Sequence, residues 1–366
     1  MALILTFLGK GGTGRTTMAI AAAKRFAQQG KRVLLAGQDS SPAFSLLVGK
    51  PLTADPQEVS SNLQAVQFRA TAMLERSWEE LKQQEAQYLR TPFFKAVFGQ
   101  ELGVLPGMDS ALALNAIREY DASGKYDVIV YDGTGDQATL RMLGMPEIAS
   151  WYIRRFRQVF ADSDLGKTVS PFLQPLASAV LNVNWSAGGD AFAQPAGQVN
   201  NLLDQGKEAV ANPNRVAAYL VTSGDEGAIA TARYLWGSAQ QVGLTVGGVL
   251  LNQSTPSERI RQEFTPLPVS TIPTRTGDNW QPLMDALPNF ADATQAPKPI
   301  AVNVADRKVA LFLPGFDKKQ VKLTQYGPEV TIEAGDQRRN VSLPPELRGK
   351  QVTGAKFQDG YLIISF

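Results

Sequence analysis

The sequence predicts an α/β fold: a mostly parallel sheet with a helical insertion, followed by a small all-β sandwich. Three observations predict it. The apolar run Leu3–Leu8 opens onto Gly9-Lys10-Gly11-Gly12-Thr13-Gly14-Arg15-Thr16-Thr17, and that loop opens onto an alanine-rich helix from Met18. Two further apolar runs, Arg32–Ala36 and Tyr126–Asp132, lie downstream, and the second ends in an acid. Beyond about Ala301 apolar residues recur at every second position, the period of half-buried strands.

The first observation has the form of a phosphate-binding P-loop between a buried strand and a helix N-terminus. Glycines let backbone N–H groups surround an anion, and the helix dipole attracts it. Arg15 stands where the pattern has lysine. The helix and the run at 32–36 complete a βαβ unit, which implies parallel strands. Asp39 then falls just past a strand's C-terminal end, the edge that carries the ligand in open α/β sheets. A third strand is expected at Leu63–Phe68 and an amphipathic helix from Thr71 to Leu89. Pro92–Phe98 is an apolar cluster, and Glu101 to Asp109 is a loop leading into a helix.

Tyr126–Asp132 is a buried strand with an acid at its tip, where a carboxylate can hold Mg²⁺ through its waters. The following turn, Gly133 to Arg141, is small and polar, in character a sensor of a terminal phosphate. Residues 145–213 read as a helical insertion. Ile148, Tyr152, Phe156, Val159 and Phe160 form one stripe, Phe172 to Leu181 a second, and Trp185 to Gly197 a loop. Strands resume at Ala217–Thr222 and Val246–Leu251, the latter ending at Asn252, with an edge strand or loop at Pro266–Pro273. The proline-rich stretch around 291–300 reads as a linker between a domain at 1–290 and a module at 301–366.

Composition narrows the chemistry. The 366 residues include no cysteine and no histidine, which removes thiolate zinc sites, cysteine nucleophiles, Ser-His-Asp triads and histidine bases. A formal charge of +2 carries no nucleic-acid footprint. No apolar run reaches the ~20 residues of a membrane span. The first strand begins almost at Met1, so the expected compartment is the cytoplasm.

Gly9 to Thr17 resembles the deviant Walker A loop, KGGxGKT, of the MinD/ParA/NifH/ArsA class. Within that class, Glu101…Leu105-Pro-Gly-Met-Asp109, Thr139-Leu-Arg141-Met-Leu-Gly-Met-Pro146 and Asn252-Gln253 resemble the ArsA and Get/TRC ATPases. Leu313-Pro-Gly-Phe316, Val330–Glu333, Val341–Pro344 and Ala355–Ile364 resemble an α-crystallin (small heat-shock) domain. The resemblance implies a P-loop NTPase domain that binds ATP or ADP with Mg²⁺, works as a homodimer, and gates a hydrophobic client by nucleotide state.

By that resemblance Gly9 to Thr17 would line the nucleotide. Gly11, Gly12 and Gly14 would cradle phosphates, Thr16 with Asp132 would hold Mg²⁺, and Thr17 would reach the α-phosphate. Lys10 would reach across the dimer, Asp39 would orient the attacking water, and Asn252 would read adenine. Switch I of the family reads D-P-A-H, against Asp39-Ser40-Ser41-Pro42 here. Switch II reads D-T-A-P-T-G-H-T, against Asp132-Gly-Thr-Gly-Asp136-Gln-Ala-Thr139. The C-x-x-C zinc clasp of some members is absent.

Plainer readings stand beside these: a turn or N-cap role for Asp39, a solvated Lys10, a turn former at Asn252, a core-facing stripe at 148–181, and a purely stabilising β module. A longer, planar guanidinium at position 15 keeps the charge but need not meet the same transition-state oxygens, which costs on the order of 10²–10⁴ in rate. The alternative function is therefore a nucleotide-binding chaperone or scaffold with little turnover. A surface-partitioning ATPase would need a basic amphipathic tail, and the chain ends in strands instead.

Overall fold

The structure is a computed structural model. It describes residues 1–79 except 77, then 107–162, and 193–366 except 327, 328 and 342. The expected cluster at Pro92–Phe98, the stripe at Phe172–Leu181 and most of the amphipathic stretch to Leu89 lie outside the described residues.

The first unit is an eight-stranded sheet in the order β3-β4-β2-β5-β1-β6-β7-β8. Its strands are β1 (Leu3–Leu8), β2 (Val33–Gly37), β3 (Gln57–Ser60), β4 (Leu63–Gln67), β5 (Val128–Asp132), β6 (Val216–Thr222), β7 (Thr245–Asn252) and β8 (Val269–Ile272). All neighbours pair in parallel except β3 and β4. The central strands are continuous apolar runs because helices cover both faces. One face packs on α1 (Arg15–Gln28) and α2 (Pro42–Val48), the other on α3 (Met108–Ala122), α4 (Gln137–Asp162) and, after α5 (Ala193–Ala211), α6 (Glu226–Gln241). Short helices α7 (Glu258–Glu263) and α8 (Gln281–Ala286) finish the unit.

From β1 the chain crosses to β2 on one side, whereas β6 lies on the other, so β1 sits at a topological switch point. The loop after β1 therefore opens into the crevice where such sheets place ligands.

Three stretches differ from the sequence reading. Residues 193–197 belong to α5, because a proline in the first turn, Pro195, interrupts no intrahelical bond that would otherwise form. The antiparallel edge strand β3 was not predicted: it is four residues long and carries a single apolar residue, Val59, too little for an alternation to show. The proline-rich stretch is also not a loose connector. Phe290 opens a 3₁₀ turn (Phe290–Gln295) and is buried against Phe7, Phe26 and Tyr219, with ring centroids 6.3, 5.5 and 4.9 Å away. Arg25 Nη1 donates to the Leu287 and Pro288 carbonyls at 2.6 and 2.9 Å.

Beyond it lie two antiparallel sheets of the expected sandwich. One is β14-β15-β10-β9 and the other β11-β12-β13. Their strands are β9 (Ile300–Asn303), β10 (Lys308–Phe312), β11 (Val321–Tyr326), β12 (Glu329–Ala334), β13 (Gln337–Val341), β14 (Gly354–Gln358) and β15 (Tyr361–Ser365). A separate core of Val309, Leu311, Val330, Ile332, Leu347 and Ile364 joins them. The module docks on α4 and α6. Trp236 meets Phe312 edge-on at 5.5 Å, the Asp336 N–H donates to Tyr234 Oη at 2.9 Å, and Gln241 Nε2 donates to the Ala334 carbonyl at 2.6 Å. Arg141 and Gln137, on the first turns of α4, bind Asp336 and Gln337.

Gly237 makes this docking possible. A Cβ there would stand 2.2 Å from the Pro314 carbonyl oxygen and 2.5 Å from the Phe316 ring. Gly237→Ala should therefore destabilise the chain by about 1–3 kcal/mol despite its better helix propensity, read as a lower midpoint in denaturant. An unchanged or raised midpoint would refute the close-approach argument.

Candidate functional site

The glycine loop is anchored at both ends. Gly9 N–H donates to the Gly135 carbonyl at 2.9 Å. Thr13 turns back on the Lys10 carbonyl through its N–H (3.4 Å) and its hydroxyl (2.8 Å). Helix α1 starts behind Gly14 with no side-chain cap, which leaves the N–H groups of its first turn for a ligand. No atom lies within 4 Å of where a Cβ at Gly11 or Gly12 would be. An anion can approach the backbone there.

Arg15 and Asp132 supply opposite charges under the loop. Asp132 is buried at the tip of β5, 5% exposed. Burial pushes its carboxyl up to about 6, against the lowering effects of a hydrogen bond from Thr16 and the nearby Arg15 guanidinium; Asp39 adds to the rise. Thr16 and Asp132 thus meet as a hydroxyl–carboxylate pair, the small protein donor set suited to Mg²⁺, which retains waters and takes phosphate oxygens. Burial lowers the Arg15 pKa, and Asp132 and Asp136 partly offset that. Arg15 Nη1 is buried without a hydrogen-bond partner. A guanidinium N–H without a partner on the first residue of the helix that follows the glycine loop is a donor suited to a phosphate oxygen.

Asp39 is exposed, and its oxygens accept from the Ser41 N–H and Ser41 hydroxyl, both at 2.8 Å. That is turn-aspartate geometry at the entry to α2, whose N-cap is Ser41. Gln67 Nε2 fixes the same turn, donating to the Asp39 and Ser41 carbonyls at 2.7 and 2.8 Å. The turn after β5 is similarly knitted. Thr134 Oγ1 and Ala138 N–H donate to Asp136 Oδ1 at 2.6 and 2.9 Å, and Gly135 N–H donates to Thr139 Oγ1 at 2.9 Å.

Lys10 folds back on its own chain. Its Nζ lies 3.1 Å from Asp225 Oδ2, in an exposed ion pair that holds the Asp225 carboxyl below its usual range. Asn252 is buried at the end of β7 and donates from Nδ2 to the Thr13 carbonyl at 2.8 Å. Its amide braces the loop from beneath.

The structure thus brings Gly9 to Thr17, Asp132 and Asn252 into one crevice and places Lys10 and Asp39 at its rim. Sequence reasoning missed Asp225, Gln67 and Ser254, whose hydroxyl accepts from Gly224 N–H at 2.6 Å. Only Asp225 left a local signal, as an N-cap before a helical stretch. A cleft of about 580 Å³ lies beside Ser41, Leu46, Lys50 and Arg69 rather than over the loop. The site follows from the loop's chemistry, not from that volume.

A parallel sheet with a glycine loop at its switch point, a strand-end acid and a hydroxyl beside it defines a P-loop nucleotide hydrolase. Residues 2–267 match the anion-transporting ATPase family, and residues 305–366 match the HSP20-like domain found in ArsA proteins. The chain belongs to that family of ATPases. It is 24% identical to a putative arsenical pump-driving ATPase of Chlorobaculum tepidum, across 99% of this chain and 95% of that one. It is 22% identical to putative arsenical pump-driving ATPase 1 of Aquifex aeolicus, across 99% of both chains. The ATPase GET3 of Malassezia globosa is 28% identical over 52% of this chain and 54% of its own length.

Proposed function

We propose that the protein is a homodimeric, Mg²⁺-dependent ATPase whose nucleotide state governs access to a hydrophobic client. The observation that carries the reading is the open glycine loop at an uncapped helix N-terminus, with Arg15 Nη1, on the first residue of that helix, buried and without a hydrogen-bond partner. The loop N–H groups and Arg15 would hold the β- and γ-phosphates, and Thr16 with Asp132 would hold the ion. Bound Mg²⁺ would supply charge neutralisation at the terminal phosphates. Asp39 must give up Ser41 before it can orient a water. Lys10 must likewise exchange Asp225 for the partner protomer's nucleotide, an exchange that an exposed ion pair permits.

Helix α4 would carry the signal, since it begins directly after the turn at Asp132–Asp136. One turn apart on it, Ile148 and Tyr152 are 37% and 53% exposed, an apolar start for a client face. Arsenite is not proposed as a ligand: the sequence has no thiol to bind it.

A second reading has an observation of its own. Both Asp39 oxygens are held by Ser41, and Arg15 replaces the loop lysine, as in a chaperone or scaffold that binds nucleotide with little turnover. Phosphate release under Mg²⁺-ATP distinguishes the two. The ATPase reading expects turnover that falls by about 10²-fold or more in Asp39→Asn. Turnover that is absent in the parent and created by Arg15→Lys establishes the binding-only reading.

A further inference from the structure

Gly135 and Arg15 occupy one niche. A Cβ on Gly135 would lie 1.9 Å from Arg15 Nη1, 2.7 Å from Arg15 Cδ and 2.7 Å from the Phe7 carbonyl oxygen. The turn cannot simply retreat. Gly135 donates its N–H to Thr139 Oγ1 and accepts from Gly9 N–H, both at 2.9 Å, and its φ is +64°. Arg15 is confined as well, since its Nη1 is buried and the carboxylates of Asp132 and Asp136 act on its charge from either side of that turn.

We propose that Gly135 is the positioning residue for Arg15: its missing side chain is the space that lets an arginine, longer and more rigid at its tip than lysine, serve in this phosphate loop. The inference rests on the nucleotide-binding reading above and deepens it. The arginine and the glycine form a matched pair, and each is tolerated because of the other. Any side chain at 135 pushes the guanidinium out of the loop. A lysine at 15 ends in a single rotatable ammonium and can bend away from the same side chain. The left-handed backbone and the Phe7 carbonyl penalise a Cβ whatever residue stands at 15, so only the coupling between the two positions reports on the niche.

A double-mutant cycle reads that coupling. Mg²⁺-ATP affinity is measured by titration for the parent, Gly135→Ala, Arg15→Lys and the double variant. Gly135→Ala should weaken binding about tenfold or more in the arginine background and less than about threefold in the lysine background. Equal factors in both backgrounds would overturn the inference. If the parent binds no nucleotide, the nucleotide-binding reading fails instead. The niche is then decided by thermal midpoints of the nucleotide-free proteins, with Arg15→Ala as the second background. The midpoint loss caused by Gly135→Ala should shrink when Arg15 is removed. An equal loss would overturn it.

Discussion

In Asp132→Asn, the nucleotide-free protein should melt higher than the parent at pH 7.5, while Mg²⁺-dependent turnover falls by about 10²–10⁴-fold. Both effects come from burial. The Asp132 carboxyl titrates at about 6 in the folded chain against 3.8 in the unfolded one. Between those values the folded state binds more protons than the unfolded state, so stability falls as pH rises from about 4 to about 6. Above that window the ionised group costs up to about 3 kcal/mol, and a neutral isostere removes the cost. Asparagine can still accept from Thr16 but brings no charge to an ion. The stability gain should therefore vanish near pH 4, where the parent's carboxyl is already protonated. Melting curves at pH 4.5 and 7.5 check this. A variant less stable than the parent at pH 7.5 would contradict the burial argument.

Arg15→Met should show the converse pattern: little change without nucleotide and a large loss with it. Two opposing effects shape the apo state. Removing a desolvated guanidinium is favourable, whereas Asp132 and Asp136 lose a neighbouring cation. The net change should stay within about 1 kcal/mol. With Mg²⁺-ATP the variant should lose about 10–100-fold in affinity, the loss of a charge-assisted contact. Thermal shift with and without Mg²⁺-ATP separates the two states. A variant that ATP stabilises as strongly as the parent would remove Arg15 from the phosphate site.

The loop, the strand-end acid and the parallel pairing of the sheet were legible because their signals are local; the order of its strands was not. Leu3–Leu8 and Val128–Asp132 are apolar runs that only a doubly covered strand tolerates, and the glycines sit in one nonapeptide. The bracing of the site was not legible. Asn252 and Thr13 are far apart in sequence, as are Lys10 and Asp225, and no spacing rule joins them. The stretch around 291–300 reads as a linker because prolines and small residues dominate it and its surroundings. Phe290 was the overlooked signal, an aromatic that the sheet's face needed. In the β module, strand β13 runs over Gln337–Val341, where Gln337 and Arg339 reach toward the helices. Its alternation is set by docking on α4 and α6 as much as by its own core.

Asp39 shows how little spacing says about state. Its position beyond β2 was readable, but its capture by Ser41 was not, because a hydroxyl two residues on serves a turn and a switch equally well.

The central claim is that this loop binds Mg²⁺-ATP through Arg15. Isothermal titration of the intact chain with ATP, with Mg²⁺ and then with chelator, against Arg15→Met, tests it most directly. The account predicts one site per chain, weakened by chelation and weakened further in the variant. A parent that takes up no ATP in the presence of Mg²⁺, or a variant that binds as tightly as the parent, would contradict it.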